Sequence, residues 1–215
     1  MIVFSGLDGA GKSTQINLLT DTYTKAGKTS IIFWSRGGYS PGMMLLKSLF
    51  IKKKRKLEEC DDSAIINRNK QFSNPLIRKT WLFLSILDLM YFYGVYIRFK
   101  ELLGVKVICD RYIFDTSIDF RLNFPQEKVD KWLIWKLLNI IALKPKKHFV
   151  ITISIEESIK RSKLKNEPFP DSIDVLKKRL NQYIKFISNN SSIVHVDGSK
   201  SIDSVNKIIM KEINK

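Results

Sequence analysis

A parallel β-sheet covered by helices on both faces is the fold this sequence predicts, and three observations carry the prediction. Five short apolar runs, at residues 1–5, 30–34, 105–109, 148–153 and 193–196, have the length and composition of buried strands. Stretches of helical periodicity separate them, which is the alternation that builds βαβ units. The first run passes directly into a glycine-rich turn and then into a helix.

Each element follows from its own residues. Met1 to Ser5 form the first strand, and Ile16, Leu19, Tyr23 and Ala26 fall at helical spacing after it, with Gly27 as the stop. Ser30 to Trp34 is the second strand. The longest helical pattern has Asn74 as cap and Pro75 at the first helical position, and it ends before Gly104. Its middle, Trp81 to Ile97, is apolar except for Asp88 and Gly94. That run is at the short limit for crossing a bilayer, and a carboxylate in mid-span is costly there. A buried core helix is the expectation, with no membrane span. Val105 to Cys109 is the third strand. A helix carrying Trp132, Leu133, Trp135, Leu137 and Leu138 precedes the fourth, His148 to Ile153. Ile155 to Arg161 reads as a short helix and Ser162 to Ser172 as an irregular, lysine- and proline-containing segment. Ile193 to Val196 is the fifth strand. His148 and His195 both fall on strands, where structural roles are expected. No repeat or low-complexity linker divides the chain, so residues 1–215 are expected to form a single domain.

The hydrophobic content of 44% is enough for a core and excludes global disorder. A net charge of +16 attracts anions, but the lysines are spread along the whole chain, as a biased composition also produces. The run Lys52-Lys53-Lys54-Arg55-Lys56 follows the apolar stretch Met43 to Ile51 and reads first as an exposed helix end. A nucleic-acid partner is therefore not expected. Cys60 and Cys109 make neither a disulfide framework nor a metal cluster. No secretory or transit signal precedes Met1-Ile2-Val3-Phe4, and a cytoplasmic location is the default expectation.

Residues 6–13, Gly6-Leu7-Asp8-Gly9-Ala10-Gly11-Lys12-Ser13, match the full G-x-x-x-x-G-K-[ST] pattern, and Thr14 follows. Glycines let the backbone curl so that successive N–H groups face a phosphate, and the helix beginning near Lys12 adds its positive end. This spacing predicts ATP binding by Gly6, Gly9, Ala10, Gly11, Lys12, Ser13 and Thr14, with the Ser13 hydroxyl on Mg²⁺. The fold becomes a P-loop NTPase-type parallel five-stranded sheet. At the end of the third strand stand Asp110 and Arg111, the first suited to the Mg²⁺ hydration shell and the second to phosphate charge. Arg36, after the second strand, can approach another phosphate.

The chain resembles the thymidylate kinase family. The residues that carry the resemblance are FSGLDGAGKSTQ, the ICDRY segment, Arg36 with its glycines, and Val196-Asp197-Gly198-Ser199-Lys200-Ser201-Ile202. It implies transfer of the γ-phosphoryl group of ATP to thymidine monophosphate (dTMP) by direct in-line displacement. Asp8 would then contact the acceptor sugar, Arg36 and Arg111 the acceptor phosphate, and Asp110 would support Mg²⁺. Ser199 would lie near the donor adenine. A mobile lid, about 155–172, would bring Arg161 to the transferring group, with Lys163 or Lys165 next, because position 9 is glycine. Homodimers are implied as well, through helix faces such as that of Trp132 to Leu138, although core packing accounts for the same residues.

Three departures concern the acceptor side. The family's base-reading arginine corresponds to leucine in Leu84-Ser85-Ile86-Leu87-Asp88-Leu89. Thr116-Ser117-Ile118-Asp119-Phe120-Arg121 replaces a small-residue run ending in Tyr-Gln. Arg36 is followed by Gly-Gly-Tyr-Ser-Pro-Gly without the usual Glu-Pro. Asp88 and Asp115, with Asp119 and Arg121 beside them, are the candidate acceptor contacts. Arg179 and Tyr183, at i and i+4, either face the site or brace the fold. Another nucleotide, a nucleoside or a sugar or polyol stays open as acceptor, as does a nucleotide-binding protein without efficient kinase activity.

Overall fold

The computed structural model describes residues 1–35, 72–165 and 171–215. Arg36, Cys60, the Met43 to Ile51 stretch, the Lys52 to Lys56 run and lid residues 166–170 lie outside the described residues. Five strands, β1 (Ile2–Gly6), β2 (Ser30–Trp34), β3 (Lys106–Asp110), β4 (Lys147–Thr152) and β5 (Ile193–Asp197), form one sheet in the order β2-β3-β1-β4-β5. Every pairing is parallel. The α/β architecture is the one the sequence predicts, with β2 bounded as expected and the other strands displaced by one residue at their ends.

Alternation along the strands sorts the core. Ile2 and Phe4, with Ile108, Phe149 and Ile151, face α1 (Lys12–Lys25) and the C-terminal helix Ile202–Ile213. Val3, Val107 and Cys109 face the opposite layer, which holds α2 (Pro75–Tyr91) and α5 (Leu133–Ile141). Val150, on that same side, packs with Ile118 of α4 (Ile113–Asn123) and Leu176 and Tyr183 of α7 (Ile173–Asn189). Between β4 and α7 lies α6 (Ile155–Leu164), so Ser162, Lys163 and Leu164 are helical where an irregular segment was expected. Its Ser154 cap, acidic first turn and basic last turn complement the helix dipole, and the Glu157–Arg161 pair supports it further.

The long apolar helix starts as predicted, with the Asn74 side chain accepting from Leu76 N and Pro75 in the first turn. It is not continuous. After Tyr91 the residues Phe92–Tyr96 form a π turn, and α3 (Ile97–Leu102) resumes the helix. The cause is tertiary: the Tyr93 carbonyl accepts from Leu143 N at 2.9 Å, and Gly94 leaves room for Ile141 to press against the backbone. Pro75–Leu102 is long and apolar enough to cross a membrane, yet Leu82, Ile86, Leu89, Tyr93 and Ile97 are each at most 1% exposed inside the core.

A methyl group at Gly94 would stand 2.5 Å from Ile141 Cγ2. Overpacking of this kind costs about 1–3 kcal/mol, against about 0.5–1 kcal/mol of helix propensity gained from alanine. Gly94→Ala is expected to lower stability in urea unfolding, and the loss should vanish in an Ile141→Ala background. An equal loss in both backgrounds would refute the contact.

Candidate active site

The turn after β1 is built for close backbone approach. Gly6 adopts φ +140°, and a Cβ there would lie 2.1 Å from the Ile151 carbonyl oxygen of the neighbouring strand. Gly11, at φ +91°, caps α1 without any side-chain hydrogen bond, and no acidic residue occupies the first turn. The N-terminal amides of α1 are thus left for an anion. Ser13 is exposed and Thr14 half-buried at that end. Lys12 is buried, and its Nζ donates to the carbonyls of Gly6 at 3.0 Å and Leu7 at 2.7 Å. Burial, and then the charge of Arg111, push its ammonium down to about 8, against the pull of Asp8, Asp110 and Asp115. Lys12 makes no ion pair at salt-bridge distance among the described residues, and both of its hydrogen bonds go to neutral backbone carbonyls.

Arg111 faces the loop from the end of β3. Its backbone is left-handed at φ +79°, an uncommon position for a side-chain-bearing residue, and its N–H donates to Phe4 O at 2.8 Å. The guanidinium donates through Nη2 to Asp8 Oδ1 and lies 3.8 Å from Asp115 through Nη1. Asp110 sits beside it with Oδ1 buried and without a hydrogen-bond partner among the described residues. Burial raises its carboxyl above the ordinary range while Lys12 and Arg111 oppose the shift. Such an oxygen, next to a phosphate loop, suits a hydrated divalent cation.

Beneath these groups lies a polar chain that no sequence motif announces. Asp115 is 1% exposed, and its Oδ2 accepts from Ser5 Oγ at 2.5 Å and from Tyr112 N at 2.9 Å. Its Oδ1 accepts from Tyr183 OH at 2.6 Å. Ser5 Oγ also lies 2.8 Å from His148 Nε2. Because the single serine proton goes to Asp115, His148 donates through Nε2. One helical turn on, Asp119 takes Arg179 Nη1 at 2.5 Å, and Arg179 Nε donates to Asp171 at 2.6 Å. Asp115 and Asp119 on α4 therefore meet Tyr183 and Arg179 on α7 as two rungs of an antiparallel ladder. Of the two roles open to Arg179 and Tyr183, these contacts are those of a brace. Asp115, expected among the acceptor contacts, has its oxygens turned to internal donors instead. Arg121 is half-exposed and pairs with Asp130 at 2.8 Å.

Arg161, the leading lid cation, reaches the loop from α6. Its Nη1 donates to the carbonyls of Gly9 at 3.3 Å and Gly198 at 3.1 Å, while Nε pairs with Glu157 at 2.6 Å. A side chain at position 9 would crowd Arg161 Cβ at 3.0 Å and the Ser158 carbonyl at 3.2 Å, so glycine there lets α6 pack close to the loop. Ser158 Oγ adds a bond to the Asp8 carbonyl at 2.7 Å. The turn after β5 closes on the same place, since a Cβ at Gly198 would lie 2.8 Å from Ala10 O. Ser199 in that turn is exposed and donates through N and Oγ to Asp197. His195 meets Thr152 Oγ1 at 2.7 Å, within the sheet as expected.

On α2, Leu89 is 1% exposed and belongs to the core, whereas Asp88 is half-buried. Burial pushes the Asp88 carboxyl up to about 6. The structure brings Lys12, Asp8, Arg111, Asp110, Arg161 and Gly198 around one loop.

A phosphate-binding loop between β1 and α1, at the carboxyl end of a parallel sheet, with a carboxylate and an arginine closing the next strand, defines a nucleotide kinase, a phosphotransferase of the P-loop class. The thymidylate kinase family profile matches residues 64–209, and the chain belongs to that family. It is similar to the thymidylate kinase of Sulfurihydrogenibium sp., 28% identical over 99% of this chain and 95% of that protein. The probable thymidylate kinase of Methanocaldococcus jannaschii is 29% identical over 97% of this chain and 93% of its own length. The thymidylate kinase of Thermosipho africanus is 27% identical over 95% and 92%.

Burial holds the His148 imidazole down at about 4, although Asp115 opposes the shift. Its unfolded value is about 6.5. As pH falls from 6.5 towards 4 the unfolded chain takes up a proton that the folded chain refuses, so stability falls across that window. His148→Gln, which retains a donor for Ser5, should flatten this slope in unfolding measured at several pH values. An unchanged slope would remove His148 as its source. Tyr183→Phe should cost about 1.5–3 kcal/mol, the range for a hydrogen bond to a charged group. A loss well below 1 kcal/mol would mean that the rung to Asp115 is idle.

Proposed function

We propose that this chain transfers the γ-phosphoryl group of ATP to dTMP. The observation that carries the reading is the convergence of Lys12, Arg111 and Arg161 on one glycine loop whose helix N-terminus is left uncapped. The names of the full-length relatives supply the acceptor.

The residues present fit ATP with Mg²⁺. Gly6, Gly9, Ala10, Gly11, Ser13 and Thr14 surround the position for the β-phosphate, and Ser199 lies on the turn that closes over the loop. Ser13 and Asp110 would hold the cation, which when bound neutralises phosphate charge. Lys12 leaves the Gly6 and Leu7 carbonyls for the β- and γ-oxygens. Arg161 would exchange the Gly9 and Gly198 carbonyls for the equatorial oxygens of the transferring group. On the other side Asp8 orients the acceptor, Arg111 grips its phosphate, and Arg36 completes that grip. Holding both oxygens in line removes most of the entropic barrier, and fixed cations stabilise the loose transition state. No covalent intermediate on the chain is required.

We read residues 1–215 as one kinase unit with a lid at about 155–172. Its return at Asp171 is anchored through Arg179 to Asp119. The exposed stripe Phe83, Leu87, Tyr91, Val95 and Phe99 offers an apolar face for a homodimer. A cytosolic location accords with a small nucleotide as substrate.

Leu89 in the core, with Asp88 beside it, favours a second reading in which another nucleoside monophosphate is the acceptor. A coupled assay over dTMP and the other monophosphates, nucleosides and sugars decides between them. The highest kcat/KM is expected on dTMP. Turnover confined to another acceptor establishes the second reading, and ATP binding without turnover on any acceptor contradicts both. Lys12→Ala should lower kcat by roughly 10²-fold or more, as loss of a preorganised transition-state donor does. Retained kcat would remove Lys12 from the chemistry.

A further inference from the structure

At the amino edge of the sheet, on the α4–α5–α7 side, lies a cleft of about 540 Å³ that the phosphate loop does not share. Its size is that of a small-molecule site. Three cations line it, Arg121, Lys144 and Lys146, and no carboxylate does. Asp130 stands next to it, taking Arg121 Nε at 2.8 Å and Ser117 Oγ at 3.2 Å. Lys144 and Lys146 are exposed and make no ion pair among the described residues.

The floor has the opposite character. Trp135, 6% exposed, lines it together with His148, 4% exposed, and the half-buried Phe186. The His148 and Phe186 rings lie 5.5 Å apart, and Phe186 stacks on Phe114 at 3.6 Å. Flat rings accept another ring at little entropic cost. His148 adds polarity with a direction. Its Nε2–H is committed to Ser5, so Nδ1 remains an acceptor on a ring that lines the cleft. An occupant that matches these surfaces carries a planar ring with an N–H donor at one end and an anionic group at the other.

We infer that this cleft is a second ligand site, taking a nucleoside phosphate with its base over Trp135, His148 and Phe186 and its phosphate against Arg121, Lys144 and Lys146. The site is separate from the transfer site, because its lining includes Lys146, His148 and Ile193 around the starts of β4 and β5 and no residue of the phosphate loop, which follows the strand end at Gly6. It is not isolated from it. The imidazole on its floor bonds Ser5, the residue before Gly6.

The indole resonance of Trp135, assigned by Trp135→Phe, reports occupancy in a ¹H–¹⁵N spectrum. Titration with adenosine and thymidine monophosphates should shift it saturably, in the wild-type chain and equally in Lys12→Ala, whose phosphate loop is disabled. In Lys144→Ala/Lys146→Ala, two exposed substitutions remote from the loop, the dissociation constant should rise about tenfold or more, as expected when charge-assisted contacts are lost. The acceptor KM should stay as in wild type. Three results overturn the inference: no saturable shift at millimolar nucleotide, an equal shift with inorganic phosphate alone, or unchanged affinity in the double variant.

Discussion

One buried carboxylate holds the site together. Asp115 receives Ser5 from the strand that leads into the phosphate loop, Tyr112 N from the turn that carries Arg111, and Tyr183 from the helix that follows the lid. Three segments far apart in the chain are thereby fixed to two oxygen atoms in a region that water does not reach. A buried polar group without partners costs several kcal/mol, so each donor is specified by the others. The arrangement is rigid for that reason, and the rigidity serves the loop, whose glycines supply none of their own.

The charges follow the same logic. Lys12, Arg111 and Arg161 gather at the loop as cations, with Asp8, Asp110 and Glu157 as their acidic neighbours. The Lys12 ammonium is depressed by burial, and the Asp110 carboxyl is raised by it. Both shifts are the cost of burying charged groups in one site, and the ATP and Mg²⁺ proposed for it would offset them. Preorganisation of this kind places the donors before the reacting charge develops.

Much of this was legible in the sequence. The five strands, the Asn74-Pro75 helix start and the glycine loop rest on local signals, namely apolar runs, a cap and a motif, and each stands where the pattern put it. Helix α6 ran further than its sequence suggested because Ser162 packs inward, and the π turn at Phe92–Tyr96 arises from Leu143 and Ile141, which lie far along the chain. Of the site, Lys12, Asp8, Asp110, Arg111 and Arg161 could be named from motif and resemblance. The bracing chain could not. Ser5 and His148 share a face only through strand register, and Asp115, which the sequence offered as an acceptor contact, meets Tyr183 only because α7 packs over it. The i, i+4 spacing of Asp115 with Asp119, and of Arg179 with Tyr183, was the one available hint.

If the chain transfers phosphoryl groups as proposed, Asp115 would act by positioning Arg111 and the loop strand, not by touching substrate. Steady-state kinetics of Asp115→Asn and Arg111→Lys, singly and together, test it most directly. Asparagine keeps the shape but replaces one acceptor oxygen by a donor, so a raised acceptor KM in a folded protein is expected. Adding Asp115→Asn to Arg111→Lys is also expected to cost far less than it does alone. Independent, additive effects of the two substitutions, or an unchanged KM in Asp115→Asn, would contradict that role.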